Sequence, residues 1–238
     1  MWTEQAMVNL SDNTAYCRDD LFHLFSGEKK GLSDGAFRWT LYNLLKDQKI
    51  FRTDYDTYST VEPRVLPVYK PYYSEKAGTL IKKLEEMYPK LKFVVFESVL
   101  LNEFLNHQIA QNTIYVQVEK DVSAYIFDTI REEYDGSVLY RPNKKEFDRY
   151  WTRDCIVILD LISQSPLSQD RQHEMTAEKM LVDIIAEKNI AATFSPSEIP
   201  FVFENVMKSY QVDKRKMNRY ASRRGKASQI GKIVGGLD

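Results

Sequence analysis

Apolar residues recur at helical spacing in the first quarter of the chain. Leu21, Leu24 and Phe25 share one face of a first helix over residues 17–25. Gly27 suits its C-terminal end, and Lys29-Lys30-Gly31 reads as a loop. Ser33 is a good N-cap for the next helix, whose buried face is marked by Phe37, Leu41, Leu44 and Leu45. Arg38, Thr40, Asn43 and Lys46 then point outward, and Trp39 and Tyr42 are expected in the core or at its lip. Repressor-type modules often split such a region into two short helices, and the spacing does not place a break. The pattern next shortens to a basic hairpin, with residues 48–53, a turn at Asp54-Tyr55-Asp56, and Thr57-Tyr58-Ser59. A capped helix running into a hairpin is the outline of a winged helix-turn-helix, a module that puts one helix in the major groove of DNA and a wing on the backbone.

Pro63, Pro67 and Pro71 interrupt the chain after the hairpin, and proline makes extended linkers. The expected organisation is a winged helix-turn-helix domain over 1–60, a Pro-rich linker over 61–75, and an α/β domain over 76–238. In that last domain the pattern alternates. Helices are expected over 74–87, 99–106 and 122–133, with Ile126, Ile130 and Tyr134 on one side of the third. Strands are expected over 92–96, 113–118, 137–141 (entered by a turn at Asp135-Gly136) and 154–159. From Thr176 onward the pattern is helical, over 176–187, 198–210 and 213–224. The predicted class is α+β, a mixed α/β domain with C-terminal helices behind a winged helix.

Composition narrows the functions. With a net charge of −1, nucleic-acid binding has to come from local asymmetry. There is no apolar run of about 18 residues, so no membrane partner is expected. Met1-Trp2-Thr3-Glu4-Gln5 lacks the basic and apolar regions of a signal peptide. Cys17 and Cys155 are expected as free, buried thiols, and two Cys with three His do not suggest structural zinc. A reducing cytoplasm is the expected compartment, without metal or cofactor.

Two basic constellations are candidate sites. In the first, Arg38 and Asn43 are the residue types that reach base edges. Arg52, Lys49, Lys46, Lys29 and Lys30 would hold phosphates. The same module also serves in some proteins for protein contact alone, and that alternative stays open. In the second, Lys214, Arg215, Lys216, Arg219, Arg223, Arg224 and Lys226 crowd one helix, opposed by Asp213. Arg215, Arg219 and Arg223 recur every four residues and share a face that attracts phosphate. DNA, RNA, an acidic protein, or only solvent could meet that face, while Met217 and Tyr220 anchor the helix.

Enzyme motifs are weak, and no catalytic residue is assigned. Asp54-Tyr55-Asp56 has the Asp-x-Asp spacing of a nucleotidyltransferase metal site but lacks the preceding Gly-Ser turn, so a hairpin turn explains it better. Glu97, Glu119 and Lys120 have residue types found in restriction-type nucleases, but Gln117 stands where the Glu of Glu-x-Lys should be. Walker A, GxGxxG and GxSxG patterns are absent. Residues 178–183, capped by Thr176, read as a good helix start and nothing more.

Several landmarks succeed one another in a telling order. Leu44-Leu45-Lys46-Asp47-Gln48-Lys49-Ile50 leads to a hairpin ending at Tyr58. Later come Phe93-Val94-Val95-Phe96-Glu97-Ser98, and Asp154-Cys155-Ile156-Val157-Ile158 with Ser165-Pro166 downstream. Glu178-Lys179-Met180-Leu181-Val182-Asp183 and Asn218-Arg219-Tyr220-Ala221-Ser222-Arg223-Arg224-Gly225 are the most specific of the set. In this order, over nearly its whole length, the chain resembles the AbiEi-like antitoxin family of type IV toxin-antitoxin systems, which act in phage defence. The resemblance implies a bifunctional protein with no fixed catalytic set. A winged helix would repress its own operon by binding inverted repeats in the promoter. A C-terminal domain would oppose a nucleotidyltransferase toxin without forming a stable complex with it. The chain departs from that family at Asp54 and Asp56, which make the wing acidic and repel phosphate, and in its first sixteen residues, which match no landmark.

Overall fold

The computed structural model describes residues 2–10, 15–63, 65–134 and 138–237. They form a mixed α+β structure with two small sheets, divided into the units Met1–Val65 and Leu66–Asp238.

The first unit runs α1 (Trp2–Val8), β1 (Tyr16–Cys17), α2 (Arg18–Glu28), α3 (Asp34–Lys46), β2 (Phe51–Asp54) and β3 (Thr57–Ser59). Its strands pair antiparallel in the order β1-β3-β2. The core gathers Ala6, Leu21, Phe25, Phe37, Leu41, Leu44, Ile50 and Tyr58. Phe37 meets Phe22 and Phe25 edge-on, with ring centroids 5.2 and 5.9 Å apart.

Local chemistry sets the helix ends in this unit. Cys17 Sγ accepts the Asp20 N–H at 3.4 Å while the Asp20 carboxylate accepts the Cys17 N–H at 3.1 Å, a reciprocal cap for α2. Cys17 is therefore exposed and not the buried thiol the sequence suggests, whereas Cys155 is buried. α2 runs through Gly27, and the backbone reverses instead at Gly31, whose φ of 75° is the left-handed conformation that favours glycine. Ser33 Oγ caps α3 at the Ala36 N–H.

α3 is one continuous helix, and its inner stripe is Phe37, Thr40, Leu41 and Leu44. Thr40, expected outside, is buried with its hydroxyl donating to the Ala36 carbonyl at 2.9 Å. Trp39 and Tyr42, expected in the core or at its lip, stand 70% and 62% exposed. The 3.6-residue period explains both corrections, because a stripe through 37, 40, 41 and 44 leaves 39 and 42 on the opposite side.

The second unit begins inside the stretch expected as linker. Tyr69 is buried beside Phe104 and Tyr210. The Pro67 carbonyl accepts the Gln211 N–H at 2.9 Å, and Tyr73 OH donates to the Val95 carbonyl at 2.8 Å. Arg64 lies outside the described residues. There follow α4 (Glu75–Met87), β4 (Phe93–Glu97), β5 (Thr113–Glu119), α5 (Ser123–Glu133), β6 (Val138–Tyr140), α6 (Lys144–Tyr150) and β7 (Cys155–Leu161). The unit ends with α7 (Ala177–Ala186), α8 (Lys188–Ala191), α9 (Ile199–Ser209), α10 (Lys214–Arg223) and α11 (Ala227–Val234). The short helix expected over 99–106 is a 3-10 helix, Ser98–Glu103. The turn expected at Asp135-Gly136 lies outside the described residues.

The sheet order is β4-β5-β7-β6, with β4 antiparallel to β5 and the other three strands parallel. Val95 faces Val116 and Val116 faces Ile158 across the strands. These residues lie under α4 and α5, which contribute Leu80, Leu84, Ile126 and Ile130. Val94, Phe96, Tyr115 and Val157 lie on the other face with Met180, Ile184, Phe203, Met217 and Tyr220 from α7, α9 and α10. Burial on both faces explains why the strands read as largely apolar runs, interrupted in β5 by the buried Gln117. Among the described residues no helix is long and apolar enough to cross a membrane.

Candidate nucleic-acid interface

α3 carries an outward stripe of Trp39, Tyr42 and Lys46, spaced by three and four residues, with Arg38 one turn before Tyr42 at its side. Arg38 Nε pairs with Asp34 Oδ2 at 2.8 Å one turn earlier. Asp34 is also bound by Arg18 of α2, and that hydrogen bond, ahead of the charges of Arg18 and Arg38, holds its carboxyl below the usual carboxylate range. To reach a base, Arg38 has to leave a carboxylate of its own helix.

Asn43 falls on the flank of the stripe. It lines a groove of about 450 Å³ with Trp2, Lys29, Trp39 and Lys49, where Lys29 Nζ sits 4.8 Å from the Trp2 ring centroid. On the hairpin, Arg52 donates to the Tyr55 carbonyl and stacks 5.6 Å from the Tyr55 ring centroid. The β2–β3 pairing slips between Arg52 and Asp54, a bulge that tightens the twist. Lys30 and Lys46 are exposed. The candidate residues thus fall apart, with Arg38 and Lys46 along the stripe, Asn43, Lys29 and Lys49 at the groove, Arg52 on the hairpin, and Lys30 in the α2–α3 connection.

The second basic candidate is α10. The Asp213 carboxylate caps it by accepting the Arg215 and Lys216 N–H groups, both at 3.0 Å. Met217, Tyr220 and Ala221 are buried, and Lys214, Arg215, Lys216, Arg219 and Arg223 face out. Arg223 Nε donates to Ser163 Oγ at 2.7 Å.

Arg224 does not belong to that face, contrary to the sequence expectation. Its side chain is 10% exposed, with Nη1 3.6 Å from Asp183 Oδ1 and Nη2 3.3 Å from Glu187 Oε2. The reason is helical phase. Arg224 comes one turn after Tyr220 and lies over the Tyr220 ring, so it shares the inner side.

Beneath it is a closed polar network that sequence reasoning missed. Lys179 Nζ donates to Asp183 Oδ2 at 2.7 Å, to Gln117 Oε1 at 2.6 Å and to Tyr220 OH at 3.2 Å. Tyr220 OH donates to Asp183 Oδ1 at 2.8 Å, and Gln117 Nε2 donates to Asp183 Oδ2 at 2.9 Å. Lys179 and Asp183 are 0% and 1% exposed. Burial pushes the Asp183 carboxyl up, but the charges of Lys179 and Arg224 and the hydrogen bonds from Lys179 and Gln117 outweigh it and hold the group low. Burial raises the Tyr220 phenol. The available signal was a Lys and an Asp four apart inside a helix otherwise apolar from Met180 to Ala186. Gln117, which spoils the nuclease spacing, is the strand residue that completes this network.

Glu97 is fully buried and saturated. It accepts the Ser74 N–H and hydroxyl, both at 2.7 Å, and the Asn112 amide at 2.5 Å. It fastens the start of α4 to the end of β4. Because Glu97 pairs with Ile114 in register, Glu119 and Lys120 stand at the far end of β5, and the three nuclease-type residues do not converge. Among the described residues no group of three or more His, Cys, Asp or Glu could hold a metal ion.

A family model described as a family of unknown function (DUF6577) matches residues 36–236, from within α3 to just past α11. No curated protein matches the chain. Among solved structures, the chain is similar to the RV2827C protein from Mycobacterium tuberculosis at 10% identity. That match covers 98% of this chain and 80% of that one at a TM-score of 0.36.

Proposed function

The chain belongs to the DUF6577 family, which carries no assigned function, and from its own side chains we propose that it is a cytoplasmic DNA-binding repressor of the antitoxin type. In this reading the first unit is a winged helix, α3 is its recognition helix and the β2–β3 hairpin its wing. The observation that carries it is α3 itself. The helix comes after α1, β1 and α2, precedes the hairpin, and turns Arg38 and Lys46 outward beside Tyr42. Arg38 and Asn43 read base edges, and Arg52, Lys49, Lys46, Lys29 and Lys30 hold phosphates. The second unit opposes a nucleotidyltransferase toxin, with the exposed arginines of α10 facing DNA or that partner. No catalytic step is assigned to it.

The test is binding to the DNA upstream of its own gene, beside a scrambled duplex, at two salt concentrations. Tight binding to its own DNA that survives added salt is expected. Weak binding to both that disappears with salt leaves only the electrostatic contribution and overturns the reading.

A second reading rests on the exposed Trp39 and Tyr42. Aromatic side chains are enriched at protein interfaces, and a helix presenting two of them suits a protein partner. In that case the unit neutralises a partner by contact. Co-purification with the product of the adjacent gene, together with no preference for its own DNA, would favour it.

A further inference from the structure

β6 and β7 are parallel neighbours, with Tyr140 opposite Ile158, so the chain leaves both strands at the same edge of the sheet. A cavity of about 700 Å³ lies there, walled by residues just after β6, by the end of β7, and by α6 and α8. In open α/β sheets, ligands bind in crevices beyond the carboxyl ends of parallel strands, and this volume is within the range of small-molecule pockets.

The chain is bent to make this edge. Arg141, directly after β6, holds a φ of 44°, unusual for a residue with a side chain, while its N–H donates to the Ile158 carbonyl at 2.9 Å. Such conformations concentrate at ligand sites.

The charges at the cavity are unevenly used. Asp160 is engaged by Arg141 at 3.5 Å and by the Ser123 hydroxyl at 2.9 Å. Glu187 is engaged by Arg224 at 3.3 Å. Lys144 and Lys188, exposed on two different helices, have no ion pair among the described residues, and Asp148 is the remaining lining acid. Between these polar groups the wall is apolar, from Phe147, Leu159 and Ile162.

We propose that this cavity binds a nucleoside monophosphate or a close analogue. Lys144 and Lys188 meet the phosphate, and the base lies against Phe147 and Leu159. Two ammonium groups from separate helices suit one dianion better than a single carboxylate. The inference does not rest on the DNA-binding reading, since it uses the other unit and different residues.

The experiment is calorimetric titration of the full chain with AMP, GMP, CMP and UMP, with adenosine and inorganic phosphate as controls. At least one monophosphate is expected to bind in the micromolar to low millimolar range, on the order of the weaker small-molecule affinities. The Lys144→Ala/Lys188→Ala double variant should weaken it tenfold or more, with unfolding behaviour unchanged because both side chains are exposed. Arg219→Ala should leave it unaltered. Absence of binding by all four nucleotides overturns the proposal. So does equal binding by the double variant, or an equal loss in Arg219→Ala, which would move the phosphate to α10.

Discussion

Arg224 Nη1 lies 3.6 Å from Asp183 Oδ1, inside the unit whose surface it was expected to decorate. Two arginines five residues apart therefore have opposite roles. Arg224→Ala leaves a buried carboxylate short of one partner while Lys179, Gln117 and Tyr220 still hold it, and such a partial loss destabilises by about 1–3 kcal/mol. Arg219→Ala removes an exposed group and should stay within about 0.5 kcal/mol. Urea unfolding of the two variants checks this, and equal midpoints would contradict the inward position.

Lys179 joins β5, α7 and α10 through a single ammonium group. Lys179→Met should be strongly destabilising, by about 3–5 kcal/mol, since Asp183 keeps its charge and loses its nearest cation. Lys179→Met/Asp183→Leu removes both members of the pair and should be more stable than Lys179→Met alone. A double variant as unstable as the sum of the two singles would mean that the pair is not coupled.

Acid should act on the same carboxylate. Burial opposes ionisation of Asp183, and Lys179 and Arg224 more than compensate, so its folded-state pKa is depressed. A depressed carboxyl contributes stability that is fully present above its unfolded value, roughly pH 4, and is lost as pH falls through the folded value. The melting temperature should therefore fall below about pH 4, and the fall should be shallower in Lys179→Met/Asp183→Leu. An equally steep decline in both proteins would assign the acid sensitivity to other groups.

Periodicity decides which elements are legible in the chain. The strands around Val94, Val116 and Ile158 are legible because burial on both faces leaves largely apolar runs. Helices with strong caps, such as those begun by Ser33, Ser74 and Thr176, are placed to within a residue. α6 escapes notice because its only buried residue is Phe147. The polar network is illegible for a different reason. Lys179 and Asp183 have the look of an ordinary helix start, and nothing local says that Gln117 and Tyr220, far apart in sequence, arrive to satisfy them. Arg224 misleads because its neighbours Arg219 and Arg223 are exposed, and one residue of helical phase separates the two environments.

Asp34 offers a sharp test of the DNA-binding reading because its carboxylate engages both Arg18 and Arg38. It sits in the first turn of α3 and would face phosphate at the same surface as Arg38. Asp34→Asn removes a like charge and releases Arg38 while keeping a polar side chain in place. Affinity for the upstream DNA should rise, roughly fivefold for one repulsion removed near the surface. Lys46→Ala should instead weaken binding to specific and scrambled duplexes alike and lower the slope of log affinity against log salt by about 1. Fluorescence anisotropy across a salt series separates the two effects. If Asp34→Asn leaves affinity unchanged while Lys46→Ala behaves as described, phosphate lies along α3 away from Arg38, and base reading by Arg38 is wrong.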